Sequence, residues 1–93
     1  MDRLFKTEQE EDIALLEDLQ LENRLVIHND DVNTFDWVIE ALVEICKHSH
    51  EQAEQCAYII HSKGKYAVKR GTYTVLKPLK DGITDRGINA TIE

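Results

Sequence analysis

The chain has 93 residues, room for one small domain and not two. With 11 Lys and Arg against 18 Asp and Glu, the formal charge is −7, a balance that argues against a nucleic-acid backbone or an anionic membrane surface as partner. Hydrophobic residues make up 42% and charged residues 31%, which excludes a disordered chain, and no apolar run approaches the ~18 residues of a membrane span.

The opening segment, MDRLFKTEQEED, lacks the basic-then-apolar order of a secretory signal, so the protein is expected in the cytoplasm. Residues 1–23 carry eight acids against Arg3 and Lys6, a net of −6, while residues 24–93 carry ten acids and nine bases. The expected organisation is an acidic, flexible arm over 1–23 and a nearly neutral domain over 24–93. Ile13, Leu15, Leu16 and Leu19 have rough helical spacing within the arm, allowing a docked helix over Glu10 to Leu19.

Arg24 to His28 is rich in β-branched residues and ends at Asn29-Asp30-Asp31, so it predicts a strand running into a polar turn. Asn33 is placed to cap the next helix, with Asp36 near the positive end of its dipole. In that helix Phe35, Val38, Ile39, Leu42, Ile45 and Cys46 share one face, and it should end near Lys47. Ser49-x-x-Gln52 is a capping box opening a second helix, with Ala53, Cys56, Ala57 and Ile60 inward and Gly64 as its stop. Lys65 to Lys69 predicts a short strand. Gly71 and Thr72 open a third helix with Val75, Leu76, Leu79 and Ile83 inward. Pro78 should delay its start to near Thr74 or kink it. Gly87 closes it, and Ile88 to Ile92 alternates as a last strand. The order β-α-α-β-α-β predicts an α+β two-layer sandwich, a three-stranded antiparallel sheet packed on three helices.

Cys46 and Cys56 fall on apolar helix faces and read as reduced thiols used as small hydrophobes. The spacing of Cys46, His48, His50 and Cys56 does not match a structural zinc site, so neither metal nor cofactor is expected. Asn29, Asp30 and Asp31 cluster acceptors at a loop, suited to a cationic group, and His61 could join them. A small hydrolase using Asp30, Asp31 and His61 is an alternative, but no Ser or Cys nucleophile lies in a recognisable motif. A plain interaction module of the same fold is another.

The stretch from Leu25 to Leu42, LVIHNDDVNTFDWVIEAL, resembles the core motif of the ClpS adaptors, a strand running into Asn-Asp-Asp and then a helix. Glu51 to Gly64, EQAEQCAYIIHSKG, is similar to the family's second helix with its closing His and Gly. The likeness is close over Asn23 to Lys65 and looser to Glu93. It implies a monomeric binding protein, not an enzyme. Such a protein holds the free N-terminus of substrates whose first residue is Leu, Phe, Tyr or Trp, and hands them to the N-terminal domain of a Clp AAA+ unfoldase. By position, the resemblance puts the α-amino ligands on Asn29, Asp30 and His61. It puts the side-chain pocket on Asp31, Asn33, Phe35, Val38, Ala57, Ile60 and Ile88. Three departures stand out: Asn33-Thr34 replaces the family's Thr-Pro, Phe35 replaces a Met at the pocket rim, and Ala57 replaces a Met on the second helix. Pro78 also sits in a third helix shorter than the family's usual one.

Overall fold

Alternation in the first apolar run sends Leu25 and Ile27 to one face of a strand, and both are completely buried. This strand, β1 (Asn23–His28), is the centre of a three-stranded antiparallel sheet in a computed structural model that describes residues 22–93. The segment Glu10 to Leu19 lies outside the described residues, as does nearly all of the acidic arm. β2 (Lys65–Gly71) pairs with β1 from Asn23↔Gly71 to His28↔Lys65. The register jumps between Leu25↔Lys69 and Val26↔Ala67, which leaves Val68 as the extra residue of a bulge and still in the core. β3 (Ala90–Ile92) pairs on the other side, Leu25 opposite Ile92 and Ile27 opposite Ala90. On the far face of β1, the His28 ring Nε2 and the Thr91 hydroxyl meet at 2.8 Å.

Among the described residues, three helices supply the other half of the core. α1 (Phe35–Cys46) is capped by Thr34, whose hydroxyl accepts the Trp37 N–H at 3.1 Å. The expected cap, Asn33, lies one residue too early and spends its side-chain amide elsewhere, as described below. α1 ends where Lys47 takes a left-handed conformation, φ 62°, and returns its N–H to the Leu42 carbonyl. α2 (His50–Lys63) begins at the Ser49 cap, which accepts the Gln52 N–H, and ends at Gly64 with φ 94°.

α3 (Tyr73–Asp85) starts within one residue of the position expected from Pro78. It starts at the Thr72 cap and runs through Pro78 without interruption. The ring removes the N–H that would reach Thr74, but Thr74 and Pro78 both face solvent, where water can take the lost bond. Val75, expected inside, is 53% exposed, because Leu76 and Ile83 centre the buried stripe and Val75 lies about 100° off it. At Gly82 a Cβ would come within 3.3 Å of Ile45, so the bare backbone lets α3 close on α1. The last strand begins at Ala90 rather than Ile88. Ile88 instead sits in the turn after α3, its N–H reaching the Ile83 carbonyl at 3.4 Å and its side chain 2% exposed in the core. Leu25, Ile27, Leu42, Leu76, Ile83 and Ile88 are the large side chains at the centre, each contributing about 1.5–3 kcal/mol through burial.

Candidate functional site

The loop leaving β1 is built around the Asp30 carboxylate. One oxygen accepts the backbone N–H groups of Val32 and Asn33 at 2.9 and 2.8 Å, and the other accepts the Asn33 side-chain amide at 2.7 Å. These bonds, the Asn33 backbone N–H foremost, favour the charged form and hold the Asp30 carboxyl below the ordinary carboxylate range. Asn33 then bridges outward, its amide also donating to the Gly87 carbonyl at 2.9 Å. On the opposite side the Asn29 N–H donates to the Gly64 carbonyl at 2.8 Å, which ties the start of the loop to the end of α2. The loop is therefore fixed at both ends to the helix termini that flank it.

A second brace stands behind it. The Trp37 indole N–H donates to the Arg86 carbonyl at 3.0 Å, and the Arg86 guanidinium lies 5.5 Å from the centre of the Trp37 ring while pairing with Glu44. The end of α3 is thus held to α1, and the Gly87 carbonyl that receives Asn33 is carried on that anchor.

The loop, the first turns of α1 and the last turns of α2 enclose a pocket of about 350 Å³. Asn29, Asp30 and Asp31 line its polar side, with His61 from α2. Phe35 and Val38 line it from α1, and Ala57 and Ile60 from α2. Ala57, Ile60 and His61 share one helix face by their i, i+3, i+4 spacing. The rings of Phe35 and His61 meet edge to face with centroids 6.3 Å apart. Asn33 also lines the pocket, together with Thr34, which was not among the pocket residues expected from the sequence.

Nine of the ten positions singled out from the sequence therefore converge on one cavity. Ile88 does not line it, because the turn after α3 buries its side chain in the core instead. The bonds from Asn33 to Gly87 and from Trp37 to Arg86 span 54 and 49 residues, and nothing local in the sequence signals them.

Away from the pocket, Cys46 and Cys56 are buried free thiols, and burial pushes the Cys46 thiol up to about 11. His48 Nδ1 lies 4.0 Å from the Cys56 sulfur. Among the described residues no three His, Cys, Asp or Glu side chains gather as a metal site would need, and no helix is long and apolar enough to cross a membrane. Both buried thiols are held protonated, opposite to what a nucleophile requires, and a carboxylate with three donors on it is a poor general acid. The arrangement suits binding: acceptors and negative charge at the mouth, apolar side chains beneath.

Comparison with known proteins agrees. The family model for ClpS, ATP-dependent Clp protease adaptor protein, matches residues 20–91. The ATP-dependent Clp protease adapter protein ClpS of Oleidesulfovibrio alaskensis is 35% identical over 65 residues, a match covering 68% of this chain and 62% of the relative's length. In fold, the chain is similar to Agrobacterium tumefaciens ClpS2, solved bound to L-phenylalaninamide, with a TM-score of 0.66 at 19% identity over 77% of this chain and 94% of that one. The chain belongs to the ClpS family of Clp protease adaptors, which are not enzymes.

Proposed function

We propose that this protein binds the free N-terminus of polypeptides whose first residue is bulky and apolar, and delivers them to a Clp AAA+ unfoldase. The observation that carries this reading is the joining of two unlike surfaces in one cavity. Asn29, Asp30, Asp31 and His61 line it together with Val38, Ala57 and Ile60.

A free α-amino group has a pKa near 7.7–8.0 and is mostly cationic at neutral pH. It offers three donors. The Asn29 side-chain oxygen and a His61 ring nitrogen serve as acceptors. Asp30, its carboxylate already engaged by three donors, supplies negative charge and takes the amine through its remaining lone-pair capacity or through water. Each charge-assisted bond contributes roughly 1.5–3 kcal/mol, and an internal residue has no cation to make them. A cavity of about 350 Å³ falls within the range of small-ligand pockets and accepts one large side chain. L-phenylalaninamide, the ligand of the similar ClpS2 structure, likewise joins a free amine to an apolar side chain.

Delivery is assigned to the acidic arm and the domain acting together. Removing residues 1–20 leaves every described strand and helix in place. Such a truncation should bind peptide normally and fail to promote degradation by the Clp machine.

The decisive test of binding is fluorescence polarisation with peptides differing only at residue one, each free or N-acetylated. Phe- and Leu-initiated peptides should bind, and acetylation should weaken them at least tenfold, about 1.4 kcal/mol. Equal affinity for free and acetylated peptides, or for Phe-, Arg- and Met-initiated ones, would overturn the proposal.

A further inference from the structure

A second groove, of about 480 Å³, shares one lining residue with the first pocket. That residue is Phe35. The rest of the groove comes from α2: Tyr58 and Ile59 as its apolar lining, Glu54 and Gln55 as its polar lining. The spacings 54/58 and 55/59 put these four on adjoining rows of one helix, beside the face that gives Ala57, Ile60 and His61 to the first pocket. Tyr58 is 67% exposed and Phe35 40%, so two aromatic rings stand in solvent next to the cavity.

We infer that this groove takes the side chain of the third residue of the bound N-terminal peptide, and that the protein therefore prefers an apolar third residue. The inference rests on the N-terminal reading above. A peptide anchored by its amine in the first pocket must leave past the rim, and Phe35 is the rim residue that faces both spaces. In an extended chain successive side chains alternate, so residues one and three point to the same side, about 6.6 Å apart. One ring with a van der Waals contact of roughly 3.5 Å on each face occupies that span. Residue one in the first pocket and residue three in the groove would grip Phe35 between them, and residue two would face water. Phe35, Tyr58 and Ile59 give the groove its apolar lining.

The test uses the full-length protein and four fluorescent peptides beginning Phe-Ala-Ala, Phe-Ala-Leu, Phe-Leu-Ala and N-acetyl-Phe-Ala-Leu. Partial burial of one Leu side chain supports a gain of roughly three- to tenfold for Phe-Ala-Leu over Phe-Ala-Ala. Tyr58→Ala, a change at an exposed position, should erase that gain and leave Phe-Ala-Ala binding as it was. Equal affinity of Phe-Ala-Leu and Phe-Ala-Ala would overturn the inference, as would a gain from Leu at the second position or a gain that survives Tyr58→Ala. In those cases the acetylated peptide still binding weakly would leave the amine reading standing. An acetylated peptide that binds as well as the free one would remove both.

Discussion

Phe35 and His61 meet edge to face across the mouth of the pocket, with ring centroids 6.3 Å apart and planes at 85°. Phe35 is the first residue of α1 and His61 stands in the last turn of α2, so the contact joins two helix ends. It sets the proposed amine ligand against the aromatic residue at the pocket rim. A peptide whose amine reaches His61 must pass its first side chain by Phe35.

The Asp30 carboxylate both charges the mouth and folds the loop. Its pKa is lowered by the bonds it receives. Its contribution is therefore full at neutral pH, declines as pH falls below the ordinary carboxylate value, and is gone once pH has fallen through the lowered value. Asp30→Asn removes the charge and turns an amide donor toward the Asn33 amide, which is itself a donor. The loop should loosen from both Asp30 and Gly87. Peptide affinity at pH 7 is expected to fall tenfold or more while circular dichroism shows the helices retained. Unchanged affinity would mean that neither the charge nor the turn matters for binding.

Amine recognition has its own pH signature. If the cationic α-amino group is the ligand, raising the pH from 7 to 9 takes it through its pKa and leaves roughly a tenth of the peptide charged. Polarisation titrations should show roughly tenfold weaker binding at pH 9. A flat profile over that range would exclude a charged amine as the recognised group.

His48 makes stability, rather than binding, sensitive to acid. It is 7% exposed, and burial, followed by repulsion from Lys69, lowers its pKa, while the Val68 backbone works the other way. A base whose pKa is depressed on folding binds fewer protons folded than unfolded below about pH 6.5, so its contribution to stability falls as pH drops through that value. The melting temperature should be lower at pH 5 than at pH 7, and His48→Gln should narrow the difference. If the difference stays the same in the variant, His48 is not its source.

How far the sequence reaches depends on whether an element is made by neighbours or by distant partners. The β-α-α-β-α-β order follows from periodicity, and Ser49 and Gly64 act as the cap and stop that their spacing predicts. Asn33 and Thr34 are both cap-forming residues in adjacent places. Thr34 takes the cap because Asn33 is drawn to Asp30 and to Gly87, and the second of these is visible only once α3 has folded back. Ile88 fits the alternation of a strand, but the turn that closes α3 claims it for the core. Pro78 lies within a helix at an exposed position, and Thr74, four residues before it, is exposed as well. The pocket residues were legible mainly through resemblance: a polar loop and two apolar helix faces do not by themselves say that they will meet.

Phe35 carries the most specific prediction. A first residue branched at Cβ is widest next to its own backbone, and a Phe at the rim is stiffer there than a thioether chain that adapts to irregular gaps. Leu and Phe branch further out and pass the rim before they widen, into space left by the small Ala57. Leu- and Phe-initiated peptides should therefore bind better than Ile- and Val-initiated ones, although all four are apolar. Phe35→Ala should narrow that gap by admitting the branched residues. The competing account is that Phe35 is a core residue, in which case truncation costs roughly 3–5 kcal/mol and the domain unfolds. Its 40% exposure speaks against so large a cost, since much of the ring is in solvent before the mutation is made. A thermal melt and four-peptide titrations on both proteins distinguish the outcomes. A variant that melts like the parent and prefers Leu over Ile by an unchanged factor would show that selection against branching is made deeper in the pocket, where Val38 and Ile60 stand.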